Sequence, residues 1–410
     1  MTGKGRYFII IFCSLLIIAA GTALVLNCGV RRQNAGEERE MSEYQDLSAS
    51  GEYRLRAARI AASMDRNTLA AQVLLASVEG MDSVREPTRQ FLSKAPPGGI
   101  ILFGYNMSST TAQTGIFVRE LTQCIADFSV PPFIAADQEG GMVRRFRDRA
   151  VLPPPLSYWD KLLEAYPSIL KRSIRKDEFR AAMEGAFLTI ERDALAAGRE
   201  LRQIGVTLNM APVAETLTKK NRGVLEDRSY GPNQAFVIGA ASAFVRGMEA
   251  GEVACTLKHF PGNSSDDPHI GKAVLNVSEK ELDALVETFA ETIRRENPAA
   301  VMLSHVVIPL WDTKPSSLSP HAVKRLRETG FSGIITADDY SMAAVGIPAE
   351  TCILEALTAG VDMFIVWPRD LLKTHKAILE ALDTGRLTME RLREAAERII
   401  YQKLRYGLIR

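Results

Sequence analysis

The strongest constraint on the fold is an alternation. Eight short apolar runs, at 72–78, 99–103, 133–136, 206–210, 253–257, 300–304, 333–337 and 362–366, are separated by stretches with helical periodicity. The runs are nearly continuous in apolar character, as parallel strands covered on both faces require. Helical patterns fall at 111–128, 179–203, 234–249, 279–295, 320–329 and 348–359. A closing one at 388–406 gathers Leu392, Ala395, Ile399, Lys403 and Leu404 on one face. The order predicts an α/β chain, a (β/α)8 TIM-type barrel over residues 56–410. A doubly wound sheet competes, but no Gly-x-Gly-x-x-Gly follows the first run. Polar residues stand just after the runs: Asp137-Gln138-Glu139, Glu215, Lys258-His259, Ser304-His305 and Asp338-Asp339. In a barrel those positions share the C-terminal rim, where active sites are built.

Composition narrows the function classes. Fifty Lys and Arg against 49 Asp and Glu leave a charge of +1 across 410 residues, so no field suits nucleic acid. An apolar fraction of 46% excludes a disordered chain. His259, His269 and His305 form no metal-binding pair, and Cys255 lies inside an expected strand, so no metal is expected. Cys124, Cys255 and Cys352 have no framework spacing and read as buried thiols.

The N-terminus departs from the average. Lys4 and Arg6 precede 8–26, a stretch without charge that lies between a cleavable signal core and a spanning helix in length. It ends Val25-Leu26-Asn27-Cys28, which resembles a bacterial lipobox with Cys28 as the lipidation site, although Asn27 replaces the usual small residue. An uncleaved anchor is the other reading. Both make residues 1–28 a leader or anchor and place the chain beyond about residue 33 outside the cytoplasmic membrane, facing periplasm or exterior. Residues 29–55 are polar and read as a tether.

Four segments carry a family resemblance. Asp137-Gln138-Glu139-Gly140-Gly141 with Arg145-Phe146, Lys258-His259-Phe260-Pro261-Gly262, Met302–Val306 and Asp338-Asp339-Tyr340-Ser341-Met342 resemble, in order, the motifs of family 3 glycoside hydrolases. The nearest pattern is that of the single-domain β-N-acetylglucosaminidases. The resemblance implies Asp338 as nucleophile, with His269 as proton donor oriented by Asp267. It implies Asp137, Arg145, Arg228, Lys258 and His259 as ligands of sugar hydroxyls. Physical chemistry agrees: retaining hydrolysis needs a nucleophile and a proton donor, and a histidine near its ordinary pKa both gives and takes protons at neutral pH. Asp339 reads as a helix cap, Glu215 as support behind the ligands, and His305 has no assigned role.

Some positions depart from the family pattern. Gly262-Asn263-Ser264-Ser265 replaces the usual continuation of its motif, and the loop is about two residues shorter. Pro268 stiffens the link between Asp267 and His269. Met142 stands where relatives carry a cation. The expected activity is a retaining exo-β-N-acetylhexosaminidase, without cofactor, that releases terminal N-acetylglucosamine from peptidoglycan-derived or other amino-sugar glycans. β-Glucosidase chemistry, phosphorolysis and a non-catalytic sugar-binding lipoprotein are the alternatives.

Overall fold

The computed structural model describes residues 50–127, 129–266, 271–341 and 348–410. Asp267, His269, Met342, Cys28 and the whole leader lie outside the described residues. Residues 50–55, the end of the expected tether, are described and belong to a helical stretch over 50–63. Among the described residues no helix is long and apolar enough to cross a membrane.

Within the unit Ala57–Arg410, eight parallel strands close into a barrel: β1 (Leu74–Ser77), β2 (Gly99–Leu102), β3 (Phe133–Ala136), β4 (Leu208–Asn209), β5 (Ala254–Phe260), β6 (Ala300–Leu303), β7 (Ile334–Ala337) and β8 (Met363–Val366). Each pairs with its sequence neighbours, and β8 closes on β1 through Leu74–Phe364 and Leu75–Ile365. Every strand residue is buried, as the unbroken apolar runs require. Most strand boundaries differ from the sequence reading by one to three residues, and two of the differences have a visible local cause. Gln72 ends the helix Arg66–Gln72, whose start Asp65 caps by accepting from the Thr68 N–H. The fifth strand reaches Phe260, so Lys258 and His259 belong to it rather than follow it.

Helices cover the barrel through apolar faces and side-chain caps. In Glu279–Glu296, Ser278 and Glu281 form a reciprocal capping box, while Leu282, Val286, Phe289 and Ile293 turn inward at helical spacing. The long helix Lys176–Ile204 lies against Gln234–Ala250. A Cβ on Gly247 would meet the Glu191 carbonyl at 2.3 Å, so glycine sets that close approach. The final helix, Met389–Arg405, buries Leu392, Ala395, Ile399 and Leu404 as expected.

Candidate active site

The site begins with the short hairpin after β3, Gln138–Gly140 paired antiparallel with Val143–Arg144. Residues 137 and 139 fall on the same side by strand alternation, and Gln138 points away. The Gln138 amide organises the loop: its oxygen accepts from the N–H groups of Arg145 and Phe146, and its nitrogen donates to the carbonyls of Phe146 and Ala150. Gly140, at φ +108°, makes the turn where a Cβ would stand 2.3 Å from the Pro153 carbonyl oxygen. This loop delivers Arg145 back to Asp137, where its Nη2 donates to Oδ2 at 2.8 Å.

Lys258, near the end of β5, enters between two carboxylates. Its Nζ lies 2.9 Å from Asp137 Oδ1 and 2.6 Å from Glu139 Oε1. Arg228 closes the other side of Glu139 with a bidentate pair, both contacts at 2.8 Å. Burial alone would lift Glu139, yet Lys258 and Arg228 hold it down to about 2. Burial would likewise lower Lys258, but Asp137 and Glu139 raise it. The result is a fixed grid of paired acidic and basic side chains facing the cavity.

His259 reaches the same cavity because the register of β5 against β6 shifts between Lys258 and Phe260. Its Nδ1 lies 2.8 Å from Glu215 Oε1. Glu215 also accepts from the Asn263 backbone N–H at 2.6 Å and from the Asn263 amide at 2.8 Å. The sequence reading of Glu215 as support thus has a geometric counterpart: one buried carboxylate orients His259 and pins the start of the loop that leads to Asp267 and His269. Further along the chain, Ala273–Val274 pairs with Val306–Val307.

Asp338 follows β7 and shares a cavity of about 400 Å³ with Asp137, Arg145, Arg228, Lys258, His259 and His305. That volume suits a small ligand. The Asp339 N–H donates to Asp338 Oδ1 at 2.9 Å. Burial would raise the Asp338 carboxyl, but His259, His305, this N–H and Lys258 together hold it below the ordinary carboxylate range. It is therefore an ionised carboxylate at neutral pH, as a nucleophile must be. Burial pushes His305 down, and its Nε2 donates to the Asp339 carbonyl while Ser317 Oγ meets Nδ1 at 2.7 Å. The Asp339 carboxylate accepts from the Ser341 N–H and hydroxyl and from the Trp367 indole.

Asp137, Arg145, Arg228, Lys258, His259 and Asp338 are thus brought together. Asp267 and His269 are not among the described residues. Sequence reasoning gave no role to Glu139, although its two-residue spacing from Asp137 signalled a shared face. It also passed over Asn263, Phe103 and Trp367, of which Trp367 stands one residue beyond the eighth apolar run. Met142, where relatives carry a cation, is 67% exposed and contributes no charge. Cys124, Cys255 and Cys352 are buried thiols, as expected. Among the described residues no group of three His, Cys, Asp or Glu is arranged to hold a metal.

Residues 68–401 match the family described as glycosyl hydrolase family 3 N-terminal domain. A β-hexosaminidase from Methylococcus capsulatus is 32% identical over 305 residues, covering 72% of this chain and 82% of its own. One from Methylobacillus flagellatus is 28% identical over 303 residues, with 72% and 79% covered. Among solved structures, a family 3 β-N-acetylglucosaminidase from Paenibacillus sp. str. FPU-7 superposes with a TM-score of 0.75 at 27% identity. The match takes in 84% of this chain and 63% of that longer one.

Proposed function

The chain belongs to glycosyl hydrolase family 3, and from that premise we propose that it is a retaining exo-β-N-acetylhexosaminidase. The observation that carries the reading is Asp338, an ionised carboxylate held by a peptide N–H in a cavity also lined by Asp137, Lys258 and Arg145. In the proposed reaction a terminal N-acetylglucosamine occupies this cavity. Asp137, Arg145, Lys258 and His259 hold its hydroxyls, with Arg228 at the cavity wall. Asp338 attacks the anomeric carbon, and the leaving oxygen takes a proton from His269, which Asp267 orients. The glycosyl–enzyme ester is then hydrolysed by water that gives its proton back to His269.

The relatives named β-hexosaminidase support the sugar, and the amino-sugar polymers of a bacterial envelope are the proposed source. We further propose a membrane tether through residues 1–28, on the strength of their uncharged stretch and Cys28.

The test is covalent trapping. A slow 5-fluoro-N-acetylglucosaminyl fluoride should add one glycosyl mass to the peptide containing Asp338, and Asp338→Ala should remove the label. An unlabelled enzyme that still releases N-acetylglucosamine would sink the nucleophile assignment. Absence of release from any N-acetylglucosaminide would sink the substrate.

A further inference from the structure

We infer that Trp367 is a positioning residue for the nucleophile, walling the sugar cavity with its ring and fixing through its N–H the turn that holds Asp338. The Asp339 backbone has two tasks. Its N–H donates to Asp338 Oδ1 at 2.9 Å, and its carbonyl accepts from His305 Nε2 at 3.1 Å. The conformation of that backbone is held by the Asp339 side chain. Oδ1 accepts from the Ser341 N–H at 2.8 Å, and Oδ2 accepts from Ser341 Oγ at 2.7 Å and Trp367 Nε1 at 2.6 Å. Ser341 belongs to the same turn and moves with it. Trp367 comes from the end of β8 and is the tie to a separate strand.

The ring that carries this N–H also lines the cavity. Trp367 stacks on Phe103 with centroids 5.0 Å apart and planes 11° apart, and both line the cavity that contains Asp338. The Arg145 guanidinium sits 5.8 Å from the centre of the Phe103 ring while holding Asp137. One wall is thereby joined at one end to the hydroxyl grip and at the other to the nucleophile. An apolar wall for the C–H face of a sugar ring needs no indole, since phenylalanine serves at 103. The indole adds a donor to a carboxylate, and a hydrogen bond of that kind is worth more than a neutral one. A sugar packed against the wall holds Trp367 in place, and Trp367 then holds the Asp339 backbone in the conformation that aims Asp338.

This rests on the proposed occupation of the cavity by a sugar, so wild-type turnover of an N-acetylglucosaminide is established first. Its absence would count against the function, whereas the variants at 367 and 339 bear on the role of Trp367 alone. Trp367→Phe keeps a ring in the wall and deletes the N–H. Its kcat should fall about tenfold or more with KM within about twofold, because the lost interaction acts on the nucleophile rather than on binding. The rate of trapping by the fluorinated glycoside should fall in parallel. Trp367→Ala removes the wall as well and should also raise KM. Asp339→Asn should share the kcat defect, and Trp367→Phe combined with Asp339→Asn should be no worse than the poorer single variant. The inference is overturned if Trp367→Phe retains kcat within about twofold, or if its losses add to those of Asp339→Asn.

Discussion

Two lysines are buried in this barrel, one at each end, and they are treated in opposite ways. Lys258, on the rim, sits between Asp137 and Glu139, and their charges raise its pKa despite full burial. Lys403, from the final helix, meets Gln72 Oε1 at 2.9 Å and the Phe133 ring at 6.0 Å. Gln72 lies just before β1 and Phe133 opens β3, which places both at the floor of the barrel. Burial lowers Lys403 to about 7. The floor can accept a cation that gives up its proton, because the side chain there fills space. The rim cannot, because its charge has to persist where substrate hydroxyls compete for it. Nearby at the floor, Arg327, Arg391 and Arg398 surround the buried Asp362 carboxylate, away from the cavity.

The largest expected effect belongs to the rim. Asp338→Asn should lower kcat by about four orders of magnitude, since it deletes the proposed attacking group, while the melting temperature stays near wild type. Steady-state hydrolysis of a nitrophenyl N-acetylglucosaminide with a parallel melt checks both. Retention of more than about a hundredth of wild-type turnover would mean another group attacks.

Next comes Lys258→Met. It should cost about 3–5 kcal/mol of stability in addition to activity, because buried Glu139 and half-buried Asp137 each lose one of their two cationic partners. Urea unfolding measures it. A loss below about 1 kcal/mol would show that the grid is wetter than its burial implies. Acid should expose the same grid. Glu139 has a folded pKa of about 2 against an ordinary value of 4.5, so its contribution is complete above pH 4.5 and is lost as pH falls toward about 2. Glu139→Gln should flatten the stability curve in that window, and a curve parallel to wild type would break the assignment.

The barrel was legible because its signal is repeated. Eight apolar runs specify eight strands, and the rim follows from where each run stops. Boundaries were less legible where local chemistry overrode apolarity: Gln72 falls in the helix that Asp65 caps at its start, and β5 continues through Lys258 and His259, which the rim pairs with carboxylates. For the site, the motif residues Asp137, Lys258 and Asp338 were readable in sequence, and the geometry brings them together. Arg228 was read as a hydroxyl ligand; it lines the cavity and also pairs with Glu139 through two contacts at 2.8 Å. That bond joins positions 89 residues apart, which no local pattern encodes. The same holds for Trp367 and Asp339, which meet across two strands.

The smallest effect should come from the floor, and its sign is the informative part. Lys403→Met removes a buried cation and leaves Gln72 Oε1 without its donor, two changes that offset, so stability at pH 7 should move by no more than about 1 kcal/mol. The pH dependence should differ more than the value. With a folded pKa of about 7 against an unfolded value of about 10.4, the folded wild type binds fewer protons than the unfolded chain between those limits. Wild-type stability therefore gains a contribution that is complete above about pH 10 and lost as pH falls to about 7. Lys403→Met lacks that slope, so urea midpoints at several pH values across the window should diverge steadily in favour of wild type as pH rises. Parallel curves would mean that Lys403 keeps its proton in the folded state, as Lys258 does, and the contrast between the two ends of the barrel would fail.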